Sequence, residues 1–203
     1  MVGGPIDMDM MKLHTKKRII LASNSPRRRE LLSGLGIDYE VRLMEGIVES
    51  YPDGLAGEEI PVYISRRKAA AYALEPDELL ITADTIVWLD GQVMGKPSDR
   101  RDACLMLRLL SGRTHQVITG VCLSSTAGQR AFSCTSNVTF ANLTDDEIAY
   151  YVDNYRPYDK AGAYGIQEWI GFVGVTRIDG SYFNVMGLPI QRLYTELKRL
   201  SAI

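Results

Sequence analysis

The chain has 203 residues, 46% of them hydrophobic, with 25 acidic against 23 basic side chains and a formal net charge of −2. That supplies enough apolar material for a sizeable core, and the near-neutral balance excludes a protein that coats nucleic acid through a whole-surface positive field. Two histidines, His14 and His115, and three widely spaced cysteines, Cys104, Cys122 and Cys134, exclude a histidine-rich metal site and a CxxC zinc or redox motif.

Residues 1–17 read as a flexible N-terminal extension ahead of a single domain over 18–203. No apolar run near the N-terminus is long enough for a secretory segment or a membrane span, so a soluble cytoplasmic protein without a membrane or nucleic-acid partner is expected. Residues 18–22 predict a short buried strand. Ser25 then suits a helix N-cap and Pro26 the first helical position, and the helix buries Leu31, Leu32 and Leu35 before Gly36. Residues 39–48 predict a less regular strand, and 61–74 an alanine-rich helix. A strand over 78–83 passes through Asp84-Thr85, continues over 86–89, and turns at Asp90-Gly91 into a return strand at 92–94.

Ser98 is the expected cap of a helix whose Ala103, Met106, Leu107 and Leu110 share one face, with Gly112 just past its end. Alternating residues over 117–123 and 132–140 predict two antiparallel strands joined by a turn at 125–130. Thr144 and Glu147 form a capping box opening a helix that runs to about Asp153. After an irregular 154–169 segment, 172–178 and 182–185 read as a second hairpin around Asp179-Gly180. Ile190, Leu193, Leu197 and Leu200 make the last helix amphipathic. This mixture of βα units and hairpins predicts an α/β fold with a mixed sheet and helices packed on it.

Arg27, Arg28 and Arg29 follow the Ser23-Asn24-Ser25-Pro26 turn at the start of a helix, the end that prefers acidic residues. A solvated, salt-bridged face explains such a run. So does a docked anion, because helix N–H groups, guanidinium forks and serine hydroxyls all hold phosphate oxygens. The stretch is not a Walker loop. Arg66-Arg67-Lys68 and Lys96, between Gly95 and Pro97, are further basic elements that would suit a polyphosphate if they converged. Asp84 interrupts an apolar strand, where a carboxylate needs a partner, a hydrogen bond or a metal. Glu45 and Glu49 are nearby candidate ligands. In the stretch 158–167, glycines allow close backbone approach and Gln167 offers a donor and an acceptor to a nucleobase edge.

In this order and spacing, LASNSPRRRELL, ISRRKA, ADTIV, GKP, SGRTHQVITGV and DKAGAYGIQ resemble the Maf family of nucleoside triphosphate pyrophosphatases, from residue 18 onward. The resemblance implies a long, twisted mixed β-sheet with flanking helices and two lobes around a cleft, and a homodimer. It implies hydrolysis of the α–β anhydride of nucleoside triphosphates with a divalent cation, Mg2+ or Mn2+. It makes Asp84 the catalytic carboxylate, assigned as proton acceptor, and a metal ligand, with Glu49 or Glu45 as second ligand. Arg27, Thr85 and Gln167 match positions tied to substrate choice, and Ser23, Arg28, Lys68 and Lys96 match the lining of the phosphate site. AGAYGIQ resembles the branch acting on dTTP and UTP, although Glu168-Trp169 follow where a glycine is common. A 7-methyl-GTP pyrophosphatase, or a nucleotide-binding regulator of cell division that needs no turnover, are the alternatives.

Overall fold

The computed structural model describes residues 15–202. Residues 1–14 of the expected extension lie outside the described residues. Residues 15–17 join the body, with Lys16 N–H donating to Ala202 O at 2.8 Å and Lys17 Nζ to Pro76 O at 2.7 Å.

In chain order the strands are β1 (Arg18–Leu21), β2 (Tyr39–Val41), β3 (Glu78–Leu89), β4 (Gln92–Met94), β5 (Thr114–Ser125), β6 (Gly128–Phe140) and β7 (Val175–Asp179). The α-helices are α1 (Pro26–Ser33), α2 (Glu59–Ala70), α3 (Arg100–Leu110), α4 (Asp145–Tyr155), α5 (Trp169–Gly174), α6 (Tyr182–Met186) and α7 (Ile190–Arg199). The seven strands form one mixed sheet in the order β2-β1-β3-β5-β6-β7, with β4 also on β3. β1 is parallel to both β2 and β3, and every other pairing is antiparallel.

Strand alternation sorts the core. Leu79, Ile81, Ala83, Val87 and Leu89 face a large cluster shared with α1, α3, α4 and α7. Leu80 and Ile86 face the other way, onto Ala69, Ile60 and Ile64 of α2. The same period sends Asp84 toward α2 and Thr85 toward α1.

β3 has a complete neighbour only on its β5 side, where pairing runs from Leu80 to Trp88. On its other side β1 ends at Ile81 and β4 begins at Val87. Residues 82–86 therefore form an open notch between two strands that share one edge. Backbone groups in such a notch need other partners. Ala83 O receives Arg28 Nη1 at 3.0 Å and Lys68 Nζ at 3.5 Å.

Three elements differ from expectation. β2 stops at Val41 because β1, its neighbour, stops at Leu21; Arg42 N–H to Leu21 O is the final rung. Residues 42–50 are then free to turn back toward the notch. The helix cap is Asp99, which accepts from Asp102 N–H, while Ser98 donates to the Asp102 carboxylate. The second hairpin does not form. Residues 172–174 lie in α5, β7 pairs with β6, and Ser181 caps helix α6, which Gly187 ends in a left-handed conformation. Of the strand expected over 172–178, only the part from Val175 forms, running to Asp179, and its partner is distant in sequence.

α2 is seated by a close approach. A Cβ on Gly120 of β5 would lie 2.3 Å from Pro61 C and 2.4 Å from Val62 N, and Thr82 Oγ1 donates to Ser65 O at 2.7 Å. Backbone cannot move aside as a flexible side chain would. Gly120→Ala is expected to destabilise the protein by about 3 kcal/mol, measured as a lowered urea midpoint.

Candidate active site

The notch opens into a cleft of about 370 Å3. Period-2 alternation brings both faces of β3 to its wall, with Asp84 on the α2 side and Thr85 on the α1 side. Arg27, Arg28, Lys68, Lys96 and Lys160 line it together with Glu49, Asp84 and Asp159, an excess of two positive charges in a chain whose net charge is −2. The basic elements thus converge, and the field is local.

Lys68 of α2 stands between two carboxylates, 2.9 Å from Asp84 Oδ1 and 2.8 Å from Glu49 Oε1. Its neighbour Arg67 donates from Nη1 to Ser50 O and Oγ at 3.1 and 3.0 Å, which pins the chain beside Glu49. Burial is the largest influence on the Glu49 pKa and raises it. Lys68, then Lys96 and Arg28, outweigh it and hold the carboxyl below its ordinary value. Glu45 is exposed and does not line the cleft, so of the two glutamates the fold brings Glu49 to Asp84.

The three arginines have three different surroundings. Arg28 is a brace: Nε donates to Gly187 O at 2.8 Å, Nη1 to Ala83 O at 3.0 Å and Nη2 to Thr85 Oγ1 at 3.0 Å. A guanidinium has five N–H groups, so two remain for a ligand. Burial lowers its pKa, Asp84 raises it, and Arg27 lowers it further. Among the described residues Arg27 pairs only with Asp159, at 3.5 Å, and is the more available. Arg29 donates to Ser23 O and Asn24 Oδ1, which makes it part of the turn rather than the cleft.

Of the expected residues, Arg27, Arg28, Glu49, Lys68, Asp84, Thr85, Lys96 and Gln167 all line the cleft, and Ser23 does not. Ser23 is buried and its Oγ accepts Ser25 N–H at 3.2 Å, shaping the turn. Ser25, the α1 cap, is the serine at the cleft wall. Gln167 Oε1 is buried and accepts no hydrogen bond among the described residues, an unusual state for a polar atom. Among the described residues no group of three or more His, Cys, Asp or Glu side chains could cage a metal. The Glu49 and Asp84 pair suits instead a hard cation that takes one or two carboxylates and completes its shell with water and substrate oxygens.

A model of Maf-like proteins matches residues 18–200. The chain belongs to the Maf-like family. The dTTP/UTP pyrophosphatase of Phocaeicola vulgatus is 67% identical over 193 residues, spanning 94% of this chain and 100% of that relative. That of Porphyromonas gingivalis strain W83 is 58% identical over 187 residues, spanning 90% of this chain and 94% of the relative. Among solved structures, the Staphylococcus aureus Ham1 protein aligns over 91% of this chain and 100% of its own, at 18% identity and a TM-score of 0.48.

Two parts of this Maf-like cleft escaped sequence reasoning. Met186 and Gly187 reach the wall from the end of α6, the segment misread as a hairpin. The capping signal, Ser181 followed by Gly187, was there to be read. His115, counted in the sequence only as one of two histidines, is the second. It lies 2% exposed, with Nε2 2.6 Å from Tyr164 OH, its ring edge-on to Phe140 and Tyr164, and Nδ1 unpartnered. It supports the cleft-lining Tyr164 from behind.

Burial pushes the His115 pKa down from 6.5 to about 4. Between those values the unfolded chain binds a proton that the folded chain refuses, so folded stability falls as pH drops through this window and is flat above it. The contribution is about 3 kcal/mol. Urea midpoints of wild type and His115→Gln across the window should diverge, the wild type losing the more stability on acidification.

Proposed function

We propose that the protein hydrolyses dTTP and UTP at the α–β phosphoanhydride, giving the nucleoside monophosphate and pyrophosphate and clearing unwanted triphosphates from the nucleotide pool. The observation that carries this reading is Asp84, a carboxylate at the open edge of an apolar strand, in a cleft lined by five basic side chains. The relatives' activity points the same way.

Arg27, Lys68, Lys96 and the two remaining N–H groups of Arg28 neutralise the triphosphate, whose charge they match in a partly desolvated cleft. Asp84 accepts the proton of the attacking water as the bond to the α-phosphorus forms and pyrophosphate departs. Lys68, shared in the free protein between Glu49 and Asp84, is placed to exchange a carboxylate for a phosphate oxygen. Thr85 stays with Arg28 and holds it in register. Glu49 and Asp84 would hold Mg2+ or Mn2+, which supplies further neutralisation of the phosphates and makes bound water more acidic.

Gln167 supports the choice of base. The residue lines the cleft, and its amide oxygen, turned to the base, would accept from the N3–H of thymine and uracil, whereas cytosine presents an acceptor at N3 and would leave two lone pairs opposed. The reading includes a homodimer in the cytoplasm. Among the described residues no helix is long and apolar enough to cross a membrane, and Phe172, 81% exposed on α5, is a side chain that self-association would cover.

Pyrophosphate release from dTTP, UTP, CTP, GTP and 7-methyl-GTP with Mg2+ or Mn2+ tests this. Wild type should favour dTTP and UTP, and Asp84→Asn should lower kcat by about 10^2 to 10^4. Preference for 7-methyl-GTP would overturn the base assignment. Nucleotide binding without release under every metal would replace hydrolysis with a regulatory binding role.

A further inference from the structure

Next to Gln167 in the chain is a charged cluster whose Asp159 and Lys160 line the cleft and whose Glu168 does not. Lys160, only 8% exposed, has Nζ 2.8 Å from Asp159 Oδ1 and 3.1 Å from Glu168 Oε1. Tyr151 of α4, fully buried, donates its hydroxyl to the other oxygen of Glu168 and accepts Gly165 N–H at 3.0 Å. The chain closes tightly over this pair: a Cβ on Gly165 would lie 2.9 Å from Glu168 Cδ and 3.1 Å from Lys160 Cε. Upstream, Tyr164 is bonded to His115. Gln167 is thus adjacent to one anchored residue and three positions from another.

An ion pair removed from water is no efficient source of stability, since apolar side chains of the same volume do as well. What a fully bonded pair supplies is one arrangement of the atoms attached to it. That matters for an amide side chain. Held still, Gln167 offers the cleft one orientation of its amide only. Free to turn, it shows oxygen or NH2 and meets the imide edge of uracil or the N3 acceptor of cytosine equally well. Discrimination between such bases is large only where the wrong one leaves a fixed polar group unpaired.

We propose that the Glu168–Lys160 pair, locked by Tyr151, is the positioning group for Gln167 and sets how sharply the cleft separates uracil and thymine nucleotides from cytosine ones. This rests on the pyrimidine-nucleotide reading above. Glu168 acts through Gln167 and touches no substrate. Asp159, shared by Lys160 and Arg27, joins the same group to the phosphate end.

The test is kcat/KM for dTTP, UTP and CTP in wild type, Glu168→Gln, Gln167→Ala and the double variant, with melting temperatures confirming that each folds. Glu168→Gln should reduce the preference for dTTP and UTP over CTP about tenfold, chiefly through KM. In the Gln167→Ala background it should change that ratio no further. A folded Glu168→Gln with wild-type discrimination, or an equal loss with and without Gln167, overturns the proposal. Should Glu168→Gln fail to fold, Lys160→Met, which keeps the Tyr151–Glu168 bond, is read in the same way. A wild type that releases no pyrophosphate overturns the pyrimidine reading and this proposal together. One that discriminates while its variants do so equally well overturns this proposal alone.

Discussion

A carboxylate in the middle of a twelve-residue apolar strand imposes a condition on everything around it. Asp84 cannot lie within the layer between β3 and α2 without a countercharge, and the countercharge has to come from an element already committed to packing there. Lys68 meets that condition from the last turn of α2, whose seat on the sheet depends on the backbone contact at Gly120 and the Thr82–Ser65 hydrogen bond. The same ammonium draws Glu49 inward. With α2 seated in that way, one lysine fixes the course of the 42–50 segment and the position of both carboxylates.

The notch in β3 does the rest. Neighbouring strands along 82–86 would have covered the wall and used its backbone groups. With β1 ending early and β4 beginning late, side chains take those groups over, and Arg28 ties α1, β3 and the end of α6 through three hydrogen bonds. From Thr85 the bonding continues to Thr119 at 2.9 Å and from Thr119 to Asn184 O at 3.2 Å, so the phosphate end of the cleft is joined through the sheet to α6. Three consecutive arginines, alike in sequence, end as an available cation, a brace and a turn fastener. Helical rotation of about 100° per residue separates them.

Much of this was legible beforehand. Apolar periodicity and capping chemistry placed β1, α1, the β3–β4 hairpin, β5, β6, α4 and α7, because each of those signals is local. The errors fell where a partner far along the chain decides. Residues 39–48 read as one irregular strand, yet only three find a neighbour, and 172–185 carries a turn signal that the real pairing with β6 overrides. In the site, Asp84, Lys68 and Arg27 were legible as chemistry out of place: an acid in a strand, and bases at a helix start. Ser23 and Ser25 could not be told apart without knowing which way each side of the turn faces.

By itself, then, the sequence determined the family, the fold class and the kinds of group available, since motif order, period and charge are properties of the chain. Tertiary structure alone decided the rest. It decided that Asp84 and Thr85 reach one cleft from opposite faces, that Glu49 rather than Glu45 meets Lys68, and that Glu168, next to Gln167 in the chain, pairs with Lys160. The physical reason is that each of these depends on the distance between groups far apart along the chain, and such distances exist only once the sheet's edges and the seat of α2 have been set.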